Sequence, residues 1–66
     1  MAIIVRLDVM LAKRKMMSKE LAEIIGISEQ NISMLRQGKV KGVRFETLNA
    51  ICDALDCHPG EIIDKE

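Results

Sequence analysis

The order Ser18, Gly26, Ser28, Gly38 constrains this chain more than any other feature of it. A serine hydroxyl can accept from the unpaired amide hydrogens that open a helix, and glycine reaches the left-handed backbone conformation that commonly closes one. Leu21, Ala22 and Ile25 recur at helical spacing in the first segment, and Ile32 and Leu35 lie three apart in the second. This predicts a helix over about 19–25 capped by Ser18 and another over about 28–37 opened by Ser28. Only Ile27 separates Gly26 from Ser28, so the two helices meet at a tight turn. Ala22 is small enough to let them approach.

Upstream, Ile3-Ile4-Val5 is a β-branched run without helical spacing, followed by Leu7, Met10, Leu11 and Met17 at three- and four-residue intervals. A short extended arm and a first helix are expected. An isolated strand is not stable alone, so the arm packs on the helices or pairs with the same arm of a second subunit. Downstream, 39–44 reads as a basic loop. Phe45, Leu48, Ile51, Cys52 and Leu55 then form the clearest amphipathic stripe in the chain, a fourth helix. Pro59 suits the first turn of a short fifth helix carrying Ile62 and Ile63. The expected fold class is all-α, a compact five-helix bundle with a short N-terminal β-strand arm, in a single domain spanning 1–66. A chain of 66 residues buries only about 60% of its unfolded surface. With one aromatic, Phe45, and five methionines, its core must be aliphatic.

Net charge is zero, but the charges are not evenly spread. From Lys13 to Arg44, eight cations (Lys13, Arg14, Lys15, Lys19, Arg36, Lys39, Lys41, Arg44) face three acids (Glu20, Glu23, Glu29), a surplus of five. From Phe45 onward, six acids (Glu46, Asp53, Asp56, Glu61, Asp64, Glu66) face Lys65 alone, a deficit of five. Such polarity can orient a molecule toward a polyanion. No apolar run reaches the roughly 18 to 20 residues of a membrane span, and no signal-peptide core is seen, so a cytoplasmic location is expected. Cys52 and Cys57 are then expected as reduced thiols. With one histidine, His58, and no zinc-like spacing, no metal site is expected. No nucleophile and base converge and no glycine-rich phosphate loop is present, so no enzyme activity and no cofactor are expected.

The segment 18–39, SKELAEIIGISEQNISMLRQGK, resembles the Cro and lambda-repressor type of helix-turn-helix, also called the xenobiotic-response-element family. The following 45–63, FETLNAICDALDCHPGEII, looks like the last helices of its small stand-alone bacterial and phage members. The match covers roughly residues 6–63.

The resemblance implies a lambda-repressor-like fold in which the third helix lies in the major groove of double-stranded DNA while the second crosses the phosphate backbone. On that reading Ser28, Glu29, Gln30, Asn31 and Ser33 are recognition-helix candidates, and Arg36 is a further DNA-binding candidate. The amide of Gln30 can bond adenine bidentately. Ser18 and Lys19 would meet a phosphate; family members often carry glutamine where Lys19 stands, and lysine supplies that contact as a point charge. Glu29 accepts from a cytosine amino group, pairs with a cation such as Arg36, or stands solvated at the helix dipole. Lys39, Lys41 and Arg44 clamp phosphates or are solvated loop surface. Lys13, Arg14 and Lys15 close the first helix, where cations favour its dipole in any case. The expected activity is sequence-specific transcriptional regulation, as a repressor acting as a homodimer on a palindromic operator, with no small-molecule ligand. The expected dimer surface is Ile3, Ile4 and Val5, with Ile62 and Ile63 second. A protein-interaction module that keeps the fold, or an antitoxin-type component, are the alternatives.

Overall fold

The computed structural model describes residues 2–65; Met1 and Glu66, the ends of the expected 1–66 domain and, for Glu66, one of the acids counted above, lie outside it. The order is β1 (Ile3–Val5), α1 (Leu7–Lys13), α2 (Ser18–Ile25), α3 (Glu29–Arg36), α4 (Phe45–Leu55), a single 3-10 turn (Pro59–Glu61) and β2 (Ile63–Lys65). Among the described residues there are four α-helices, not five, and a two-stranded antiparallel sheet.

The fifth helix stops after one turn. Proline and glycine open it, Glu61 N–H donates to His58 O and Ile62 N–H to Pro59 O at 2.9 and 3.0 Å, and the β-branched pair Ile62-Ile63 then leads into extended chain. That chain is the partner of the N-terminal arm: Ile3, Ile4 and Val5 stand opposite Lys65, Asp64 and Ile63. Arg6 extends the pairing, its N–H donating to Ile62 O at 2.6 Å and its guanidinium meeting Asp64 at 3.4 Å. The arm is therefore paired within its own chain. Ile62 is fully buried, not an exposed group as expected, and Ile3 stays 65% exposed.

Leu7, Met10 and Leu11 of α1, Leu21 and Ala22 of α2, Ile32 and Leu35 of α3, Ile51, Cys52 and Leu55 of α4, and Ile62 form one aliphatic core. Met17 is not in it, being 70% exposed, and Met16 packs there instead. Phe45 also departs from the expected stripe. It is 87% exposed, because it opens α4 beyond the reach of the core that Ile51 and Leu55 enter.

All four helices turn off through a left-handed residue: Lys15 (φ 52°), Gly26 (φ 77°), Gly38 (φ 70°) and Asp56 (φ 50°). At each, the next amide hydrogen returns to a carbonyl five residues back, as Met16 to Leu11, Ile27 to Ala22, Lys39 to Met34 and Cys57 to Cys52. Two of these positions lack glycine. At the end of α4 the exposed carbonyls have a second partner: Arg14 Nε donates to Leu55 O at 2.6 Å and its Nη2 to Asp56 O at 3.0 Å. Arg14 thus ties the end of α1 to the end of α4.

Candidate nucleic-acid interface

Helix α3 exists because Ser28 caps it, its Oγ accepting from Asn31 N–H at 3.1 Å, and because Ile32 and Leu35 bury its inner side. At about 100° per residue this leaves Glu29, Gln30, Asn31, Ser33, Met34, Arg36 and Gln37 on the outer side. Glu29, Gln30, Asn31, Arg36 and Gln37 are exposed and Ser33 is half-buried.

Two depressions flank this ridge. On one side Ser18 and Lys19 of α2, Glu29, Ser33 and Arg36 of α3, and Asp8 of α1 line an open cleft. On the other, Asn31 and Met34 face Val40, Val43 and Arg44 of the loop and Thr47 of α4, a more apolar wall. Gln30 stands exposed on the crest between them. The fold thus brings five of the sequence candidates, Ser18, Lys19, Glu29, Ser33 and Arg36, to one opening; Asn31 and Arg44 lie across the ridge, and Lys39 and Lys41 are exposed in the loop beyond it.

The role of Ser18 differs from the expected cap. Helix α2 begins at Ser18 itself with Met17 in the N-cap position, and the Ser18 hydroxyl, 9% exposed, accepts from Arg36 Nη1 at 2.9 Å. A guanidinium has no acceptor, so the hydroxyl hydrogen of Ser18 is left free to donate. At the N-cap itself Met17 N–H donates to Glu20 Oε1 at 3.2 Å. The Arg36 to Ser18 bond fixes Arg36 over the start of α2, holding the last turn of α3 against the first turn of α2. Glu29 and Arg36 do not pair; the ion pairs among the described residues are Arg6 with Asp64 and Arg44 with Glu46. The latter spans 3.7 Å between groups 85% and 80% exposed, a contact worth about 0–1 kcal/mol that leaves Arg44 ready to change partners.

Sequence reasoning missed Asp8 in the cleft, since an acid in the first turn of a helix reads as a dipole partner, and its carboxylate does accept from Val9 N–H at 2.9 Å. It also missed the Arg36 to Ser18 bond. A helical wheel places residues around one axis and says nothing of what the neighbouring helix brings. Cys52 and Cys57 are free thiols, the first buried and the second half-buried. Burial, reinforced by the neighbouring Cys52 and by Glu61 and opposed by Arg14, pushes the Cys57 thiol up to about 11.

A sequence model of the Cro/C1-type helix-turn-helix DNA-binding domain matches residues 6–66. The chain belongs to this family. Among curated proteins, the Cro/C1-type chain is 56% identical over 64 residues to YozG of Bacillus subtilis (strain 168), an uncharacterised HTH-type transcriptional regulator, covering 97% of this chain and 76% of that protein. Among solved structures it superposes with TM-score 0.84 on the crystal structure of a candidate DNA-binding protein from Bacteroides fragilis, 27% identical, covering 96% of this chain and all of that one. The family is one of DNA-binding regulators, not of enzymes. Among the described residues no helix is long and apolar enough to cross a membrane.

Proposed function

We propose that this Cro/C1-type chain is a sequence-specific transcriptional repressor that binds a palindromic operator in the cytoplasm as a homodimer, reading the major groove with α3. The observation that carries the reading is the cleft between α2 and α3. Ser18, Lys19 and Arg36 line it at the first turn of α2, with Arg36 bonded to the Ser18 hydroxyl, and the carboxylates of Asp8 and Glu29 line it too. The three donors suit a phosphate, against which the two carboxylates act. The adjoining ridge offers Gln30 for adenine and Ser33 as donor or acceptor, and Met34 offers an apolar surface of the kind a thymine methyl accepts. Glu29 is proposed as a discriminating group: it repels phosphate and rewards a cytosine amino hydrogen. Asn31, with its backbone held by the Ser28 cap, borders the bases on the loop side, and Lys39, Lys41 and Arg44 contact the flanking phosphates. In a two-fold complex of this kind the recognition helices enter successive major grooves about 34 to 36 Å apart.

Selection from a random-sequence duplex library at two salt concentrations tests this. An inverted-repeat site is enriched, Gln30→Ala relaxes one base position in each half, and Lys41→Ala weakens all sites alike while lowering the salt slope by about one. Failure to enrich any sequence, with binding lost uniformly at moderate salt, overturns the reading and moves attention to protein partners.

A further inference from the structure

The cleft that carries Ser18, Lys19 and Arg36 has a wall from α1 that opposes them. Asp8, exposed in the first turn of α1, lines the same opening. No cation neutralises its carboxylate, since the ion pairs among the described residues are Arg6 with Asp64 and Arg44 with Glu46. One of its oxygens accepts from Val9 N–H at 2.9 Å, which ties the side chain to the start of α1. With Glu29, the opening therefore holds two acids, Asp8 and Glu29, against two cations, Lys19 and Arg36. A phosphate drawn in by charge alone gains little from such a site as a whole. It gains where it makes short directed bonds, which act over about 3 Å, whereas the Coulomb force of each charge reaches about 8–10 Å at ordinary salt.

We propose that Asp8 is a specificity-determining residue for DNA: it closes the α1 side of the cleft to phosphates by repulsion, so that a strand settles only in the register where a phosphate reaches the donors at the start of α2. This deepens the DNA reading above and rests on it. Binding to arbitrary sequence is held by charge, with the backbone free to take whichever position the potential favours, and a bare carboxylate removes the positions on its own side. Binding to a selected site fixes one register through the bases read by α3. The phosphate is then held at Ser18, Lys19 and Arg36, and the same carboxylate costs that complex less. Discrimination arises here from a penalty on wrong registers, not from an added contact in the right one. Glu29 acts differently. It stands on the helix that meets the bases and changes which base is preferred, whereas Asp8, on α1, changes only how far the chosen site stands out from all others.

The test is the affinity of the full chain for a selected duplex and for a scrambled duplex of equal length, each across a range of salt concentrations, with Asp8→Asn, Asp8→Ser, Asp8→Glu and Asp53→Asn. Asparagine and serine keep an acceptor for Val9 N–H and drop the charge, and glutamate keeps the charge. Asp53, exposed on α4 and outside the cleft, gives the same change of net charge elsewhere. All four keep the parent's helical circular dichroism, because both positions are exposed. A unit charge about 4 Å from another in water alters affinity roughly fivefold. Asp8→Asn and Asp8→Ser accordingly bind the scrambled duplex about fivefold tighter at low salt, with a salt slope steeper by about one, and the selected duplex less than about twofold tighter. The base preferred at each position of the site is unchanged. Asp8→Glu and Asp53→Asn keep the parent's ratio of the two affinities. Equal gains on both duplexes, no gain on either, or a gain from Asp53→Asn as large as that from Asp8→Asn overturns the inference and leaves the DNA reading standing. A changed base preference in Asp8→Asn also overturns it, by making Asp8 a base contact. A parent for which selection enriches no site overturns the DNA reading itself, and this inference with it.

Discussion

Replacing Arg14 isolates a single long-range tie in a domain with few of them. Its guanidinium donates to Leu55 O at 2.6 Å and Asp56 O at 3.0 Å, across a sequence separation of 41 residues for the first. Hydrogen bonds to a charged group contribute about 1.5–3 kcal/mol each when buried, and a cation at a helix C-terminus adds roughly 0.3–1 kcal/mol. Here Arg14 is exposed and water can take over the Asp56 carbonyl, so the Leu55 bond carries most of the effect. The expected loss for Arg14→Met, which keeps the stem and removes the donors, is about 2 kcal/mol. In a domain this small, 1 kcal/mol moves the thermal midpoint by roughly 4–8 °C, so a fall of about 8–16 °C is expected. Arg14→Lys, with one point donor for two carbonyls, recovers about half. Thermal and urea unfolding followed by circular dichroism at the helical band measure all three. Lys13→Ala and Lys15→Ala serve as neighbours whose side chains point to solvent, and each stays within about 0.5 kcal/mol of the parent. An Arg14→Met variant within that same range refutes the argument. Equal losses at Lys13 and Arg14 refute it differently, by returning the cations to the dipole of α1.

The left-handed helix ends permit a mirrored pair of changes. Gly26→Ala meets no atom within 4 Å, so only backbone strain opposes it, and it lowers stability by about 1 kcal/mol in urea titration; Lys15→Gly relieves the same strain and raises stability by up to about 1 kcal/mol. Ile32→Ala removes a fully buried side chain from beneath the recognition ridge and is expected to lose about 2–5 kcal/mol, enough to leave the variant partly unfolded at 37 °C by proton NMR. The Cys57 thiol, pushed from 9.0 to about 11, is protonated at neutral pH. Its alkylation by iodoacetamide at pH 8 therefore runs roughly 100-fold slower than in the urea-unfolded chain and accelerates with pH toward about 11. Because the folded state holds this proton longer than the unfolded state does, the contribution is intact below about 9 and is lost as pH rises from there to about 11.

How much of this was legible in advance varies by residue. Ser28 caps α3 and Gly26 and Gly38 close their helices as local chemistry requires, because a cap needs only the few residues beside it. Ile32 and Leu35 point inward for the same reason, since helical spacing alone separates the two sides of α3. The resemblance of 18–39 to a helix-turn-helix led to the family that the wider match then established. Ser18 was misread because a serine before an apolar run signals a cap equally well from the N-cap and the next position, and only the arrival of Arg36 decides what its hydroxyl does.

Local chemistry was enough to open α3 at Ser28, to close α2 and α3 at their glycines, to separate the inner from the outer side of α3 and to say which polar groups α3 displays, all properties of contacts a few residues long. What crosses between distant segments needed the folded chain: β1 pairs with β2 rather than with a second copy's arm, Ile62 is core, Arg14 closes α4, the expected fifth helix is one turn, and Phe45 faces solvent. The difference is one of range. A pattern of spacing fixes a direction around a helix axis, but whether anything stands in that direction depends on where the rest of the chain has gone.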